Sequence, residues 1–248
     1  MPHTDWGWLI TETELRSWII DENDDLLAVN KPGLVVCHPC KHGPWSSLIG
    51  ACRELTGLPV LHMPSRLDRE TSGVVVLAKN HSTGSLLQCA IQNRRVAKSY
   101  TSILCGELRE AVVVDQPIGR ATGSAVYLKQ AVRADGQPAR THFTPLETRA
   151  GYTLARIQPE SGRLHQIRVH AAWLGHPVAA DKLYGPDETL FLDFIRDGFT
   201  GRLPEMLPMH RQALHASELV FHLLGGPLRF EAPLAPDIAG FWRGLPPD

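Results

Sequence analysis

The sequence predicts an α+β fold, a mixed sheet with helices packed on it. Three observations predict it. Period-2 alternation and short apolar runs outnumber helical patterns. Strands and helices are interspersed without a regular βαβ rhythm, and 248 residues are enough to bury a substantial core.

The strands are read from apolar runs bounded by Gly, Pro or Asn. They fall at 24–30 (DDLLAVN), 73–79 (GVVVLAK), 100–106 (YTSILCG), 139–148 (ARTHFTPLET) and 151–157 (GYTLARI). Near the C-terminus, 218–223 and 227–233 form a hairpin around Gly225-Gly226. Helices are fewer. SSLIGACRELTG (46–57) places Leu48, Ile49, Cys52 and Leu55 on one face and ends at Gly57. A second crosses Leu86, Leu87, Ala90 and Ile91, and a third covers about 187–197. A fourth spans 162–174, with Ser161 as N-cap, Gly175 after the last turn and Pro177 blocking continuation. Its apolar stripe is Leu164, Ile167, Ala171 and Leu174. No repeat, low-complexity tract or linker divides the chain. One domain over 1–248 is expected, with 1–24 as a peripheral segment.

Composition is that of an ordinary globular protein, 43% hydrophobic and 21% charged. No apolar stretch approaches the roughly 18–20 residues that cross a bilayer. MPHTDWGWLITETEL has no basic region followed by an apolar one, so no signal peptide and no membrane partner are expected. Five cysteines, an odd count, predict reduced thiols and a cytoplasmic location. The formal charge is −1, but it is unevenly spread. Residues 1–30 hold seven acids and one base, whereas 79–168 hold thirteen bases and six acids. This leaves room for a basic, nucleic-acid-binding face; solvated surface arginines are the blander explanation.

Two residues ask for a chemical role. Asp68 stands between Arg66 and Arg69, after a Pro64 turn and before the run Val74-Val75-Val76-Leu77. Arg168 lies at the edge of the apolar stripe of 162–174, where burial would demand a carboxylate. Pairing Asp68 with Arg168 would satisfy both and keep Asp68 ionised. Equally, Asp68 would cap its turn through the amides of Thr71 and Ser72.

SRLDRETSGVVVLAK resembles the RLDxxTSG signature of the RluA-type pseudouridine synthases, with Asp68 at the position of the catalytic aspartate. LLAVNKPGLVV is similar to that family's opening KP-G strand and turn, and KSYTSILCG to its basic-x-Tyr strand. PESGRLHQIRVHAAWLGHPVAADKLYG resembles its GRTHQIRVH helix and GHP-GD-YG loop, and RQALHA its late Leu-His segment. These blocks span about 25–222 in the family's order. Two positions depart from the pattern: Leu164 replaces the usual Thr or Ser, and Ala180 the usual Gly before Asp. The S4 RNA-binding domain of many relatives is not expected, as about 24 residues precede the first predicted strand.

The resemblance implies the pseudouridine synthase fold, a largely antiparallel central sheet with the active site in a cleft across it. It implies an isomerase acting on a uridine of structured rRNA or tRNA, flipped out of its stack. Asp68 is then the nucleophile or base, and Arg168 keeps it ionised and oriented. Tyr100 stacks on the base and assists proton removal from C5. Arg66 fills the space left by the nucleotide, while Arg69, Arg163, His165 and Gln166 bind substrate. No metal or organic cofactor is implied, and a monomer is expected.

Two rival functions stand against this one. Cys37-His38-Pro39-Cys40, with His42 and Cys52 nearby, suggests metal or redox chemistry, but there is no second CxxC and no helix start behind the pair. A non-catalytic RNA-binding protein that keeps the synthase fold is the alternative of a different class. Product detection on RNA separates the two.

Overall fold

The computed structural model describes residues 3–4, 7–38 and 42–247. Helices pack on a large, mostly antiparallel sheet, and the chain divides into two compact units. The first comprises Met1–Lys98 with Ala216–Ala235, the second Ser99–His215 with Pro236–Asp248.

In the first unit the strands Ile19–Glu22, Leu26–Lys31 and Ser72–Ala78 pair antiparallel in that order. Every residue of Ser72–Ala78 is buried. Its continuous apolar run, which shows no alternation in sequence, is that of a strand covered on both faces. Val75 and Leu77 join Leu27, Val29 and Leu48 in one core, while Val74 and Val76 join Leu26, Ala28 and Leu87 in another. A one-residue slip would exchange the two cores, so register is firmly set. The helix Leu48–Thr56 begins at Ser47, whose hydroxyl accepts the Gly50 N–H at 3.3 Å. It ends, as the sequence predicts, on a left-handed Gly57. The helix His81–Gln92 is capped by Asn80, whose side chain accepts the Thr83 N–H. Residues 1–24, expected to be peripheral, supply the edge strand Ile19–Glu22 and the helix Glu12–Trp18, whose Leu15 is fully buried. Thr11 and Glu14 close a capping box there, a Thr-x-x-Glu signal visible in the sequence. The hairpin pairs Leu214–Leu223 with Gly226–Glu231, but its turn is Leu224-Gly225, one residue earlier than predicted.

In the second unit Val96–Cys105, Tyr152–Pro159, Arg140–Arg149 and Val112–Asp115 pair antiparallel in that order, the first strand opening in the first unit. A separate hairpin joins Ile118–Arg120 to Gln130–Val132. The helices are Gln166–Trp173, Thr189–Asp197, Leu203–Met206 and Pro236–Gly244. The helix predicted over 162–174 therefore starts four residues late. Ser161 does not cap it; its hydroxyl donates to Gln166 Oε1 at 2.6 Å, and His165 enters the helix with φ +56°. Leu164, placed on the apolar stripe by periodicity, is 44% exposed.

Gly73 has a sharp local reason. Its φ is +112°, and a Cβ there would sit 2.6 Å from the Ala216 amide nitrogen and closer still to its carbonyl oxygen. Neither backbone can yield cheaply. Gly73→Ala should cost about 2–4 kcal/mol, from strained φ plus overlap, measured by denaturant unfolding. An unchanged midpoint would show that the strand can shift.

Candidate active site

Asp68 sits on a loop whose ends are pinned to one strand. His62 bridges Ala78 through hydrogen bonds of 2.9 and 2.8 Å, and the chain returns at Ser72 to run back along the sheet. Within the loop, the Asp68 carbonyl accepts the Thr71 N–H at 3.1 Å. Both neighbouring carbonyls are held from the segment 31–37. The Cys37 thiol donates to Leu67 O at 3.4 Å, and Lys31 Nζ donates to Arg69 O at 3.2 Å. Lys31 is 0% exposed and also donates to Pro32 O and Val35 O, both at 2.9 Å. A buried ammonium is tolerated only when solvating oxygens replace water, and three carbonyls do so here. Fixing the carbonyls on either side fixes the main chain that aims Asp68. In the sequence the only signal for Lys31 is a lysine ending an apolar strand in the KP-G segment.

Arg66 is exposed, and its Nη1 donates to His38 Nε2. Arg69 is half-buried, as is Asp68. Burial pushes the Cys37 thiol above its ordinary pKa, which makes it a poor nucleophile or ligand. Its partner in the CxxC pair, Cys40, lies outside the described residues.

The second unit holds the other candidates. Arg168 is 7% exposed and makes a two-pronged contact with Asp181, Nε to Oδ2 at 2.6 Å and Nη2 to Oδ1 at 2.9 Å. Asp181 is 0% exposed, and its Oδ1 also accepts the N–H groups of Leu183 and Tyr184 at 2.9 and 3.0 Å. Burial alone would raise this carboxyl, but Arg168 and the two amides outweigh it and hold Asp181 below its ordinary pKa. The Tyr184 ring centroid lies 4.9 Å from Arg168 Cζ. The Tyr184 hydroxyl accepts the Gln130 N–H at 2.8 Å and lies 2.8 Å from His165 Nδ1.

Burial demanded a carboxylate for Arg168, and Asp181 is one that sequence spacing did not point to. Asp181 lies 13 residues along the chain, beyond the helix and in a loop, where no sequence periodicity links it to Arg168. Gln166 is committed inside the protein. Its amide donates to Arg140 O and Thr141 Oγ1, both at 3.0 Å, and its oxygen accepts from Ser161 and the Arg163 N–H. It positions the loop before the helix. The Thr141 hydroxyl continues to His170 Nδ1 at 2.8 Å, and His170 Nε2 donates to Gln116 O at 2.9 Å. Burial keeps that imidazole below its ordinary pKa and neutral. Arg163 is exposed, with Nε 3.3 Å from Pro138 O. Tyr100 is half-buried, paired opposite Ile157 in its sheet.

The sequence pattern of the RNA pseudouridylate synthase family matches residues 25–173. The chain belongs to that family. As a pseudouridine synthase it is an isomerase acting on RNA. It is 34% identical, over 93% of its length and 71% of the relative's, to a protein of Vibrio parahaemolyticus named ribosomal large subunit pseudouridine synthase D. A Bacillus subtilis protein named as an RNA pseudouridine synthase is 35% identical over 90% of this chain and 71% of that one. The solved human RNA pseudouridylate synthase domain containing 1 has the same fold, with TM-score 0.72 over 97% of this chain and 90% of that chain, at 24% identity.

The two departures from the family pattern now have physical consequences. Leu164 leaves an apolar side chain in solvent. Ala180 has φ +59°, in the left-handed region that favours glycine. Ala180→Gly in this synthase should therefore raise stability by about 0.5–1 kcal/mol in denaturant unfolding; a loss would mean that the Ala180 methyl packs better than its backbone is strained. Arg168→Met should lower stability by roughly 3–5 kcal/mol, because it strands the buried Asp181 carboxylate. Adding Asp181→Leu should recover part of that loss, and a double mutant no more stable than Arg168→Met would rule out this coupling.

Proposed function

We propose that this synthase converts a uridine in structured RNA to pseudouridine, with Asp68 as the reacting carboxylate. The observation that carries the reading is the RLDxxTSG-like segment with its main chain clamped on both sides of Asp68. A reacting group must be held to a fraction of an ångström, and such clamping is how a loop achieves it. In the reaction the N1–C1′ bond breaks, uracil turns in place, and C5 bonds to C1′. The proton lost from C5 is balanced by one gained at N1. No water is consumed, so no second carboxylate is needed to activate one, unlike in glycoside hydrolysis. Tyr100 stacks on the extruded base and Arg168 contributes fixed positive charge, its orientation set by Asp181. Arg66 enters the space that the base leaves, exchanging its His38 contact for RNA. Arg69, Arg163 and His165 face the surrounding phosphates.

Ribosomal RNA is the favoured substrate over tRNA, because the Vibrio relative is named for the large ribosomal subunit. Binding draws on the basic middle of the chain, where Arg94 and Arg95 are exposed just beyond the helix His81–Gln92. The protein acts as a monomer in the cytoplasm, a setting that suits its unpaired Cys37, Cys52, Cys89 and Cys105. Comparing pseudouridine maps of ribosomal and transfer RNA with and without the gene identifies the substrate.

Asp68→Asn keeps the side chain's volume and removes its charge. It should abolish pseudouridine formation in a chemical-mapping assay while RNA affinity stays within about threefold, since phosphate contacts dominate binding. Conversion near the wild-type rate would make Asp68 a turn residue and end this reading.

A further inference from the structure

Between Arg120 and Gln130 the second unit presents apolar side chains to solvent. Tyr127 is 69% exposed and Leu128 52%. Exposed apolar residues at a loop tip are unremarkable when the loop is loose, but this loop is anchored at several points. Glu188 accepts from the Ser124 hydroxyl at 2.9 Å, the Ala125 N–H at 3.4 Å and Lys129 Nζ at 2.7 Å. Val126 is buried in the core with Ile118 and Leu183, and the Gln130 N–H donates to Tyr184. Every inward contact is satisfied, and the outward residues are held on a fixed frame.

The outward face also has a defined charge. The Arg120 guanidinium carbon lies 3.8 Å from the centre of the Tyr127 ring, and no carboxylate of the described residues pairs with it. Lys129 and Arg133, on the same hairpin, are neutralised by Glu188 and Asp135. Arg163 reaches the hairpin's base through Pro138 O, and Gln137 beside it bridges Ile118. A fixed aromatic face with an unneutralised guanidinium on it suits one ligand chemistry, a planar base attached to a phosphate.

We propose that Tyr127 and Arg120 form a stacking platform for an unpaired nucleotide of the substrate RNA, other than the uridine that reacts. The base takes the exposed face of Tyr127, and Arg120 donates to a flanking phosphate while remaining against the ring. Glu188 is the positioning residue, holding the loop in its receiving shape before RNA arrives. This inference rests on RNA being the substrate.

The test uses the full chain and a single-stranded RNA oligonucleotide carrying 2-aminopurine, whose fluorescence is quenched by stacking. Wild type should quench it. Tyr127→Ala should lose the quench and weaken binding about fivefold or more, whereas Tyr127→Phe keeps both. Arg120→Gln should lower the slope of log affinity against log salt by about 1. On a modifiable RNA, Tyr127→Ala should raise KM with kcat within about twofold, as loss of uniform binding requires. Thermal unfolding should not change, because both side chains are outside the core. If wild type quenches the probe but modifies no ribosomal or transfer RNA, the proposed function fails and the platform stands. If wild type modifies RNA and Tyr127→Ala equals it in KM and quenching, the platform is refuted and the proposed function survives.

Discussion

Asp181 is fully buried and Arg168 nearly so, and each charge offsets much of the cost of burying the other. That mutual need organises much of the second unit. It fastens the helix Gln166–Trp173 to the loop before Tyr184, and the same carboxylate fixes the amides of Leu183 and Tyr184. Tyr184 then passes the constraint on, through its hydroxyl, to His165 and to the Gln130 amide of the hairpin. One buried charge pair sets the aim of Arg168, the helix entry and the frame that carries Tyr127. Replacing the pair with apolar residues is compatible with a stable fold in principle, so its retention here is best understood as orientation rather than stability.

The first unit uses a buried charge in a related way. Lys31 is solvated by carbonyls of its own strand end and of Arg69, so the ammonium becomes a hub for main-chain positions. It pairs with Gly73 across the sheet, which puts the hub beside the glycine that no other residue can replace without overlap. Both units thus spend a desolvated cation on geometry, Lys31 close to the proposed Asp68 and Arg168 as a proposed site residue itself.

What the sequence made legible was local. Strand positions, the Gly57 helix end and the motif around Asp68 follow from runs, turns and spacing within about ten residues. The misses have physical causes. Periodicity carried the fourth helix back to Leu164, because four residues of loop happened to match its phase. His165 and Ala180 adopt left-handed backbone without being glycine, so composition gave no sign of either turn. The contact of Asp181 with Arg168 was hidden by the intervening helix and turn. The segment 108–138 yielded no element at all, since its strands are only three or four residues long and carry little periodicity.

A net charge of −1 is ill-suited to a polyanionic substrate, yet pairing resolves it. Arg16, Arg133, Arg149, Arg196 and Arg229 each meet a carboxylate within four residues in sequence, and such exposed pairs add little to stability. Their effect is to cancel charge locally. Arg94, Arg95, Arg120, Arg156 and Arg163 are exposed and have no carboxylate at ion-pair distance among the described residues. Total charge therefore averages over guanidinium groups that are cancelled locally and groups that stay available to phosphate. Counting unneutralised guanidinium groups, rather than all of them, makes a nearly neutral protein intelligible as an enzyme that acts on RNA.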